Sequence, residues 1–241
     1  MTAASIRTAR LRELRQQLLK SQHTAVVSQT IETGLSSLDT ILPNGGFSTS
    51  SVVEWISDQP GTLAGTTALR CARPLLQLSG CLAVIDGHHE FHASAAESTG
   101  IPLSRMLLIR PSDPAETLWA LEQTALSAGV RVVLCWLDRV SSTVMRRLQL
   151  AVEKSGVTIF LIRPAQVLKQ PSWADVRLLI RMEKESGSQQ PGSRTIAVDL
   201  IRSRHSVQQT GRALLKIDHE TGVMHSVCRL ADSATAATVK R

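Results

Sequence analysis

The chain has no tyrosine and only three phenylalanines among its 241 residues. So thin a supply argues against a single-strand binder built on aromatic stacking platforms. No C-x-x-C pair is present, and Cys71, Cys81, Cys135 and Cys228 stand far apart. They read as reduced packing thiols of an intracellular protein, and no metal site is expected from them. Long apolar runs are missing too: Val132–Leu137 and Val157–Ile162 fall well short of a membrane span. The N-terminus is basic but no apolar segment follows it, so no secretory signal is expected and the location is read as cytoplasmic. What is present is an excess of positive charge. The formal net charge is +7 and the pI near 9.8, which favours nucleic acid or an acidic protein as partner. A hydrophobic content of 43% is enough for a real core, in one large domain or a domain with appendages.

Residues 4–22 have helical spacing, with Leu11, Leu14 and Leu18 in one stripe among Arg7, Arg10, Arg12, Arg15 and Lys20. A stripe so short does not fold alone. Residues 1–25 are therefore expected to dock, through these leucines, on the core or on another protein. Residues 26–32 read as a linker, 33–230 as the core, and 231–241 as a small, polar, disordered tail. Strand and helix patterns alternate through the middle of the chain. Strands are expected at Val52–Ile56, Cys81–Ile85, Met106–Ile109, Val130–Leu137 and Val157–Ile162. Helices are expected at Thr66–Leu78, Glu90–Ser98, Pro114–Ala128 and Ser142–Lys154. Short continuous apolar strands between helices predict an α/β fold, a mostly parallel sheet with helices on both faces. After Pro164 the texture changes. Arg177–Met182, Arg194–Ile201, Ala213–Asp218 and Val223–Val227 read as a C-terminal antiparallel extension, with turns at Gly187–Ser193 and Asp218–Gly222.

Residues 51–72 have the outline of a phosphate-binding loop: an apolar strand, a Gly-containing turn, and a helix opening on two threonines. The pattern G-x-x-x-x-G-K-[ST] is not met. Gly61 and Gly65 have three residues between them, Thr66 stands in the lysine's place, and Thr67 in the hydroxyl's. Backbone N–H groups at a helix start can still cradle an anion, but the lysine's charge is gone. Gly61, Gly65, Thr66, Thr67 and Asp138 are the candidate nucleotide residues; the threonines equally suit a plain helix cap. No cofactor is expected, with ATP and Mg²⁺ as the alternative. Asp86 and Asp138 follow buried strands at the carboxyl edge, where ligands of open α/β sheets gather. His88, His89 and His92 lack an assured helix and a further ligand, so they read as a polar loop end rather than a metal site. Arg163, Lys169, Arg177, Arg181, Arg202 and Arg204 are the candidate DNA contacts, with Arg194, His205 and Arg212 adding to the same basic side; solvated charge is the alternative. Trp173, beside them, suits base stacking or packing.

The order of these elements resembles the RecA-type ATPase core over roughly residues 33–227. Thr33-Gly34-Leu35-Ser36-Ser37-Leu38-Asp39, running on to Gly45-Gly46-Phe47, looks like that family's lead-in. Val52-Val53-Glu54 looks like its phosphate-loop strand, and Ala83-Val84-Ile85-Asp86-Gly87-His88-His89 is similar to its A-F-I-D-A-E-H. Thr99–Leu107 resembles its L-G-V-D-I-D-N-L-L, and Val130–Asp138 sits where its Walker B strand lies. The departures agree with one another. The lysine is missing, and His88 stands where the family has a catalytic glutamate. Arg163-Pro164 replaces the Asn-Gln pair that senses the γ-phosphate. Both DNA-binding loops are short, at Arg139–Ser142 and Pro164–Ser172.

A degenerate RecA-like chain with a basic N-terminal helix resembles the ImuA family, sometimes labelled SulA-like. That resemblance implies an accessory subunit of damage-induced translesion synthesis in the SOS response. It implies as partners an inactive Y-family polymerase homologue of the ImuB kind, an error-prone polymerase, RecA itself and DNA, with homo-oligomers also open. Activity as an enzyme is not expected. The alternatives are a working ATPase with an unorthodox phosphate loop, in which Lys154 or a neighbouring subunit's cation restores the charge, and a SulA-like cell-division inhibitor.

Overall fold

The computed structural model describes residues 28–183, 193–204, 210–218 and 221–227. The Leu11, Leu14 and Leu18 stripe, most of the turn expected at 187–193, and the tail 231–241 lie outside the described residues. The elements follow one another as β1 (Thr30–Ile31), α1 (Ser36–Ile41), β2 (Phe47–Ser48), β3 (Val52–Ser57), α2 (Ala64–Leu76), β4 (Cys81–Ile85), α3 (Ala93–Ser98), β5 (Met106–Ile109), α4 (Pro114–Ala125), β6 (Val130–Trp136), α5 (Ser142–Ser155), β7 (Thr158–Pro164), β8 (Val176–Met182), β9 (Ser193–Ser203), β10 (Gly211–Asp218) and β11 (Met224–Ser226).

One nine-stranded sheet carries the fold, in the order β11-β10-β9-β8-β3-β7-β6-β4-β5. From β8 to β5 every pairing is parallel, and β9, β10 and β11 continue it antiparallel. This is a mixed α/β fold of RecA-like organisation. The parallel strands are apolar on both sides because both sides are covered. One face holds Val53, Trp55, Val84, Leu134, Phe160 and Leu178 against α1, α2 and α3. The other holds Val52, Ala83, Val133, Ile159 and Leu161 against α4 and α5. On the first face Phe47, Trp55 and Phe160 meet edge to face, 5.4–5.6 Å between centroids, so two of the three phenylalanines sit at the heart of the core.

The lead-in motif works as a clamp. The Asp39 carboxylate accepts from the Thr33 N–H at 2.8 Å, and the Thr33 hydroxyl accepts from the Leu35 N–H at 3.1 Å, fixing the entry to α1. Ser37 donates to the Leu214 carbonyl at 3.2 Å and ties α1 to β10. Within the expected linker, Thr30 pairs with Ser48 and Ile31 with Phe47, so the chain is joined to the core from β1 onward.

The helix expected over Glu90–Ser98 begins only at Ala93. Asp86, fully buried at the end of β4, accepts from the Glu90 N–H at 2.9 Å and the Phe91 N–H at 3.2 Å, and Arg110 lies 3.5 Å away. That side-chain capture holds residues 86–91 as a loop, with His89 at φ 58°. α4 starts where Asp113 accepts from the Glu116 N–H at 2.8 Å while Glu116 reaches back to the Ser112 N–H at 2.7 Å. α5 closes on Gly156, whose φ of 81° needs a glycine.

Candidate functional site

β3 delivers the chain to the carboxyl edge of the sheet at Ser57, and residues 58–63 loop over to α2. The loop, the start of α2, the β4–α3 connection and the ends of β6 and β7 enclose a cavity of about 630 Å³. That is the size of a small-molecule site. Gly61, Gly65, Thr66 and Asp138, four of the expected nucleotide residues, line it.

α2 begins after Leu63, which is left-handed at φ 62° and makes no side-chain cap. Thr67, expected in the hydroxyl's place, is fully buried and donates its hydroxyl to the Leu63 carbonyl at 2.9 Å. Gly65 is crowded by an indole: a Cβ there would lie 3.1 Å from Cζ2 of Trp136. Asp58, Glu90 and Asp138 line the space and form no ion pair with any described residue, and His88 and His92 stand beside them. The one strong cation in the wall, Arg163, is spent elsewhere.

That cation belongs to a buried network the sequence reading missed. Glu54, fully buried in the middle of β3, accepts from Arg163 of β7 at 2.6 Å and from Arg177 of β8 at 2.6 Å. Arg163 also donates to the Leu137 carbonyl at 3.2 Å and the Asp138 carbonyl at 3.3 Å. Arg177 donates to the Val167 carbonyl at 2.7 Å and the Gln170 carbonyl at 3.3 Å. The triad therefore ties three strands to the Asp138 connection and to the short turn Ala165–Lys169. The expectation that Arg163 and Arg177 offer charge to solvent is corrected: they are 4% and 5% exposed. The signal for them was Glu54 itself, a carboxylate in a buried apolar strand that demands partners from its neighbours.

The remaining basic candidates divide. Arg181 pairs with Asp199, which also takes Arg212 at 2.7 Å. The hydrogen bond and charge of Asp199 hold the Arg212 pKa above its ordinary value. Lys169, Arg202 and Arg204 are exposed. Arg202 donates to the Ser172 carbonyl at 2.8 Å, and Arg204 lies 3.9 Å from Asp175. Trp173 is 41% exposed, with Arg146 at 4.9 Å and Arg204 at 5.9 Å from its ring centroid.

The cysteines play no part in either place. Cys71, Cys81 and Cys135 are free thiols. Burial raises the pKa of Cys71 strongly and pushes that of Cys135 up to about 12. Cys228 lies outside the described residues. No helix among the described residues is long and apolar enough to cross a membrane.

Fold and sheet topology together define a mixed α/β protein of RecA-like organisation. Among known proteins the chain is similar to the cell division inhibitor SulA of Photorhabdus laumondii, 30% identical over 112 residues, 45% of this chain and 63% of that protein. It is similar to RecA of Azoarcus, 30% over 106 residues, 44% of this chain and 30% of that protein. It is also similar to ImuA of Caulobacter vibrioides, 29% over 128 residues, 51% of this chain and 52% of that protein. The chain thus spans less than two thirds of each of these relatives. No protein-family model matches it.

Proposed function

We propose that this chain is a RecA-like accessory subunit of the DNA-damage response that does not hydrolyse ATP. In this reading it serves the SOS response as part of a translesion mutagenesis complex. It acts in the cytoplasm, bridging an ImuB-like polymerase homologue, an error-prone polymerase and RecA to DNA. The likeness to ImuA and RecA supports the class. The observation that carries the loss of ATPase function is the cavity wall. Asp58, Glu90 and Asp138 line the space, no lysine is among the lining residues, and the Arg163 guanidinium is turned to Glu54. These carboxylates are exposed, so their repulsion of a polyanion is moderated by solvent, but no lining lysine offsets it.

Docking of partners is supported by the open edge of the sheet. β5 pairs only with β4 among the described strands, and Leu103, Leu107 and Leu108 beside that edge are 37–47% exposed. An apolar edge left uncovered is a site for pairing with another chain. A hydrolysis assay with and without single-stranded DNA tests the reading. The expected rate equals that of the Asp138→Ala variant. A wild-type rate that collapses on that substitution would instead establish a working ATPase.

A second reading rests on the SulA likeness, which makes this a binding module acting on cell division. It predicts filamentous growth when the protein is overproduced and a division-protein partner, with no affinity for DNA.

A further inference from the structure

Trp173 is an unusual place to leave an indole. Its backbone is held on both sides. The Ala174 N–H donates to the Ser172 hydroxyl at 3.1 Å, and Ala174 itself is fully buried. Asp175 exchanges bonds with Val52, its N–H donating to the Val52 carbonyl at 2.8 Å and its carboxylate accepting from the Val52 N–H at 2.9 Å. The Asp175 carbonyl takes the Arg204 N–H at 2.8 Å, and the Ser172 carbonyl takes Arg202. The segment is pinned to the first residue of β3 and to Arg202 and Arg204 at the end of β9 and just past it, yet 41% of the tryptophan stays in water.

Two guanidinium groups lie over its ring, Arg146 of α5 at 4.9 Å and Arg204, just past β9, at 5.9 Å from the centroid, while Arg202 near the end of β9 bonds the adjoining Ser172 carbonyl. Arg146 bonds only the side chain of Gln149, at 2.7 Å, and neither it nor Arg202 has a carboxylate partner among the described residues. Arg204 lies 3.9 Å from the Asp175 carboxylate. A fixed, half-exposed ring among cations with so little opposing charge suits a ligand that is flat and apolar in one part and anionic in another. An acidic peptide matches the cations but leaves the indole unused. A nucleotide matches both.

We propose that Trp173, Arg146, Arg202 and Arg204 form a binding surface for single-stranded nucleic acid, one unpaired base displacing a guanidinium group from the indole and stacking in its place while the arginines contact flanking phosphates. The face of a base is reachable only when it is unpaired, and stacking on a single aromatic is sequence-tolerant. With one ring rather than a row of them, charge carries most of the affinity. This deepens the DNA-bridging part of the proposed function and rests on it. The surface lies beside α5, away from the cavity, so it does not depend on what the cavity binds.

Titration of the full chain into a labelled oligothymidylate, followed by anisotropy at several salt concentrations, tests it. Trp173→Ala should weaken binding by about tenfold or more, and Trp173→Phe by much less. Arg146→Ala with Arg204→Ala should flatten the salt dependence by roughly one unit in the log–log slope. Trp119→Ala, at a tryptophan 63% exposed on α4, should change nothing. A duplex of the same length should bind more weakly and ignore the Trp173 substitution. Binding that survives Trp173→Ala unchanged overturns the stacking surface while leaving a DNA role intact. No binding to any oligonucleotide at low salt overturns both. Equal competition by polyglutamate, insensitive to Trp173, overturns the proposal in favour of a protein partner. Native melting temperatures of the variants confirm that loss of binding is not loss of fold.

Discussion

Two regions of this molecule handle charge in opposite ways. The cavity at the carboxyl edge is concave and built on the outline of a phosphate loop, yet its free charges are carboxylates. The face around Trp173 has no such outline, yet gathers guanidinium groups about an exposed indole. Between them lies the Glu54 triad, which draws Arg163 and Arg177 inward and keeps them from serving either place. Loop shape and charge are thus separable. A chain can keep the strand, turn and helix of a nucleotide site while its useful cations stand elsewhere.

The largest effect should come from the triad that separates the two regions. Glu54→Ala leaves two buried guanidinium groups with carbonyl partners but no carboxylate and should cost about 3–5 kcal/mol in denaturant unfolding. A loss below about 1 kcal/mol would mean that Arg163 and Arg177 reach solvent after all, and that the cavity is less acidic than it looks. The next effect concerns the thiols behind both regions. Their folded pKa values lie above the unfolded value, so their contribution is intact below about pH 9 and is lost as pH rises toward 12. The fall should be about 1.4 kcal/mol per pH unit for each thiol. Removing one of them by Cys135→Ala should make the alkaline limb shallower; an unchanged limb would contradict the burial argument.

Thr67→Val sharpens the contrast at the cavity. It removes one buried helix-internal hydrogen bond and should lower stability by about 1 kcal/mol, with no change in response to Mg-ATP. Were Thr67 a metal-linked hydroxyl, the response would vanish with it. The smallest effect is expected at Arg212→Ala on the outer sheet, whose exposed pair with Asp199 should be worth less than about 1 kcal/mol and less again in salt.

The order of strands and helices was legible because the parallel strands β4, β5 and β6 are short apolar runs each set between two helices. Phase fails where a side chain overrides it. Asp86 seizes the N–H groups of Glu90 and Phe91, so α3 starts three residues after the pattern suggests. Arg163 and Arg177 misled for a related reason. Arg177 and Arg181 alternate with apolar residues as an exposed stripe would, and nothing in their own strand reveals that the segment after β7 covers one of them. Glu54 did carry that information, since a carboxylate between Val53 and Trp55 in a covered strand must be paired. Trp136 was legible as a strand end but not as the ring that fills the space over Gly65, because that contact joins residues far apart in the chain. Arg146 belongs to a helix surface whose neighbours only the fold supplies.

The central claim is that the phosphate-loop outline survives here without affinity for polyphosphate. A calorimetric titration of the full chain with Mg-ATP tests it most directly. The account predicts no heat of binding and no rise in melting temperature up to millimolar nucleotide. Micromolar binding that is lost in the Thr66→Ala or Asp138→Ala variant would contradict it.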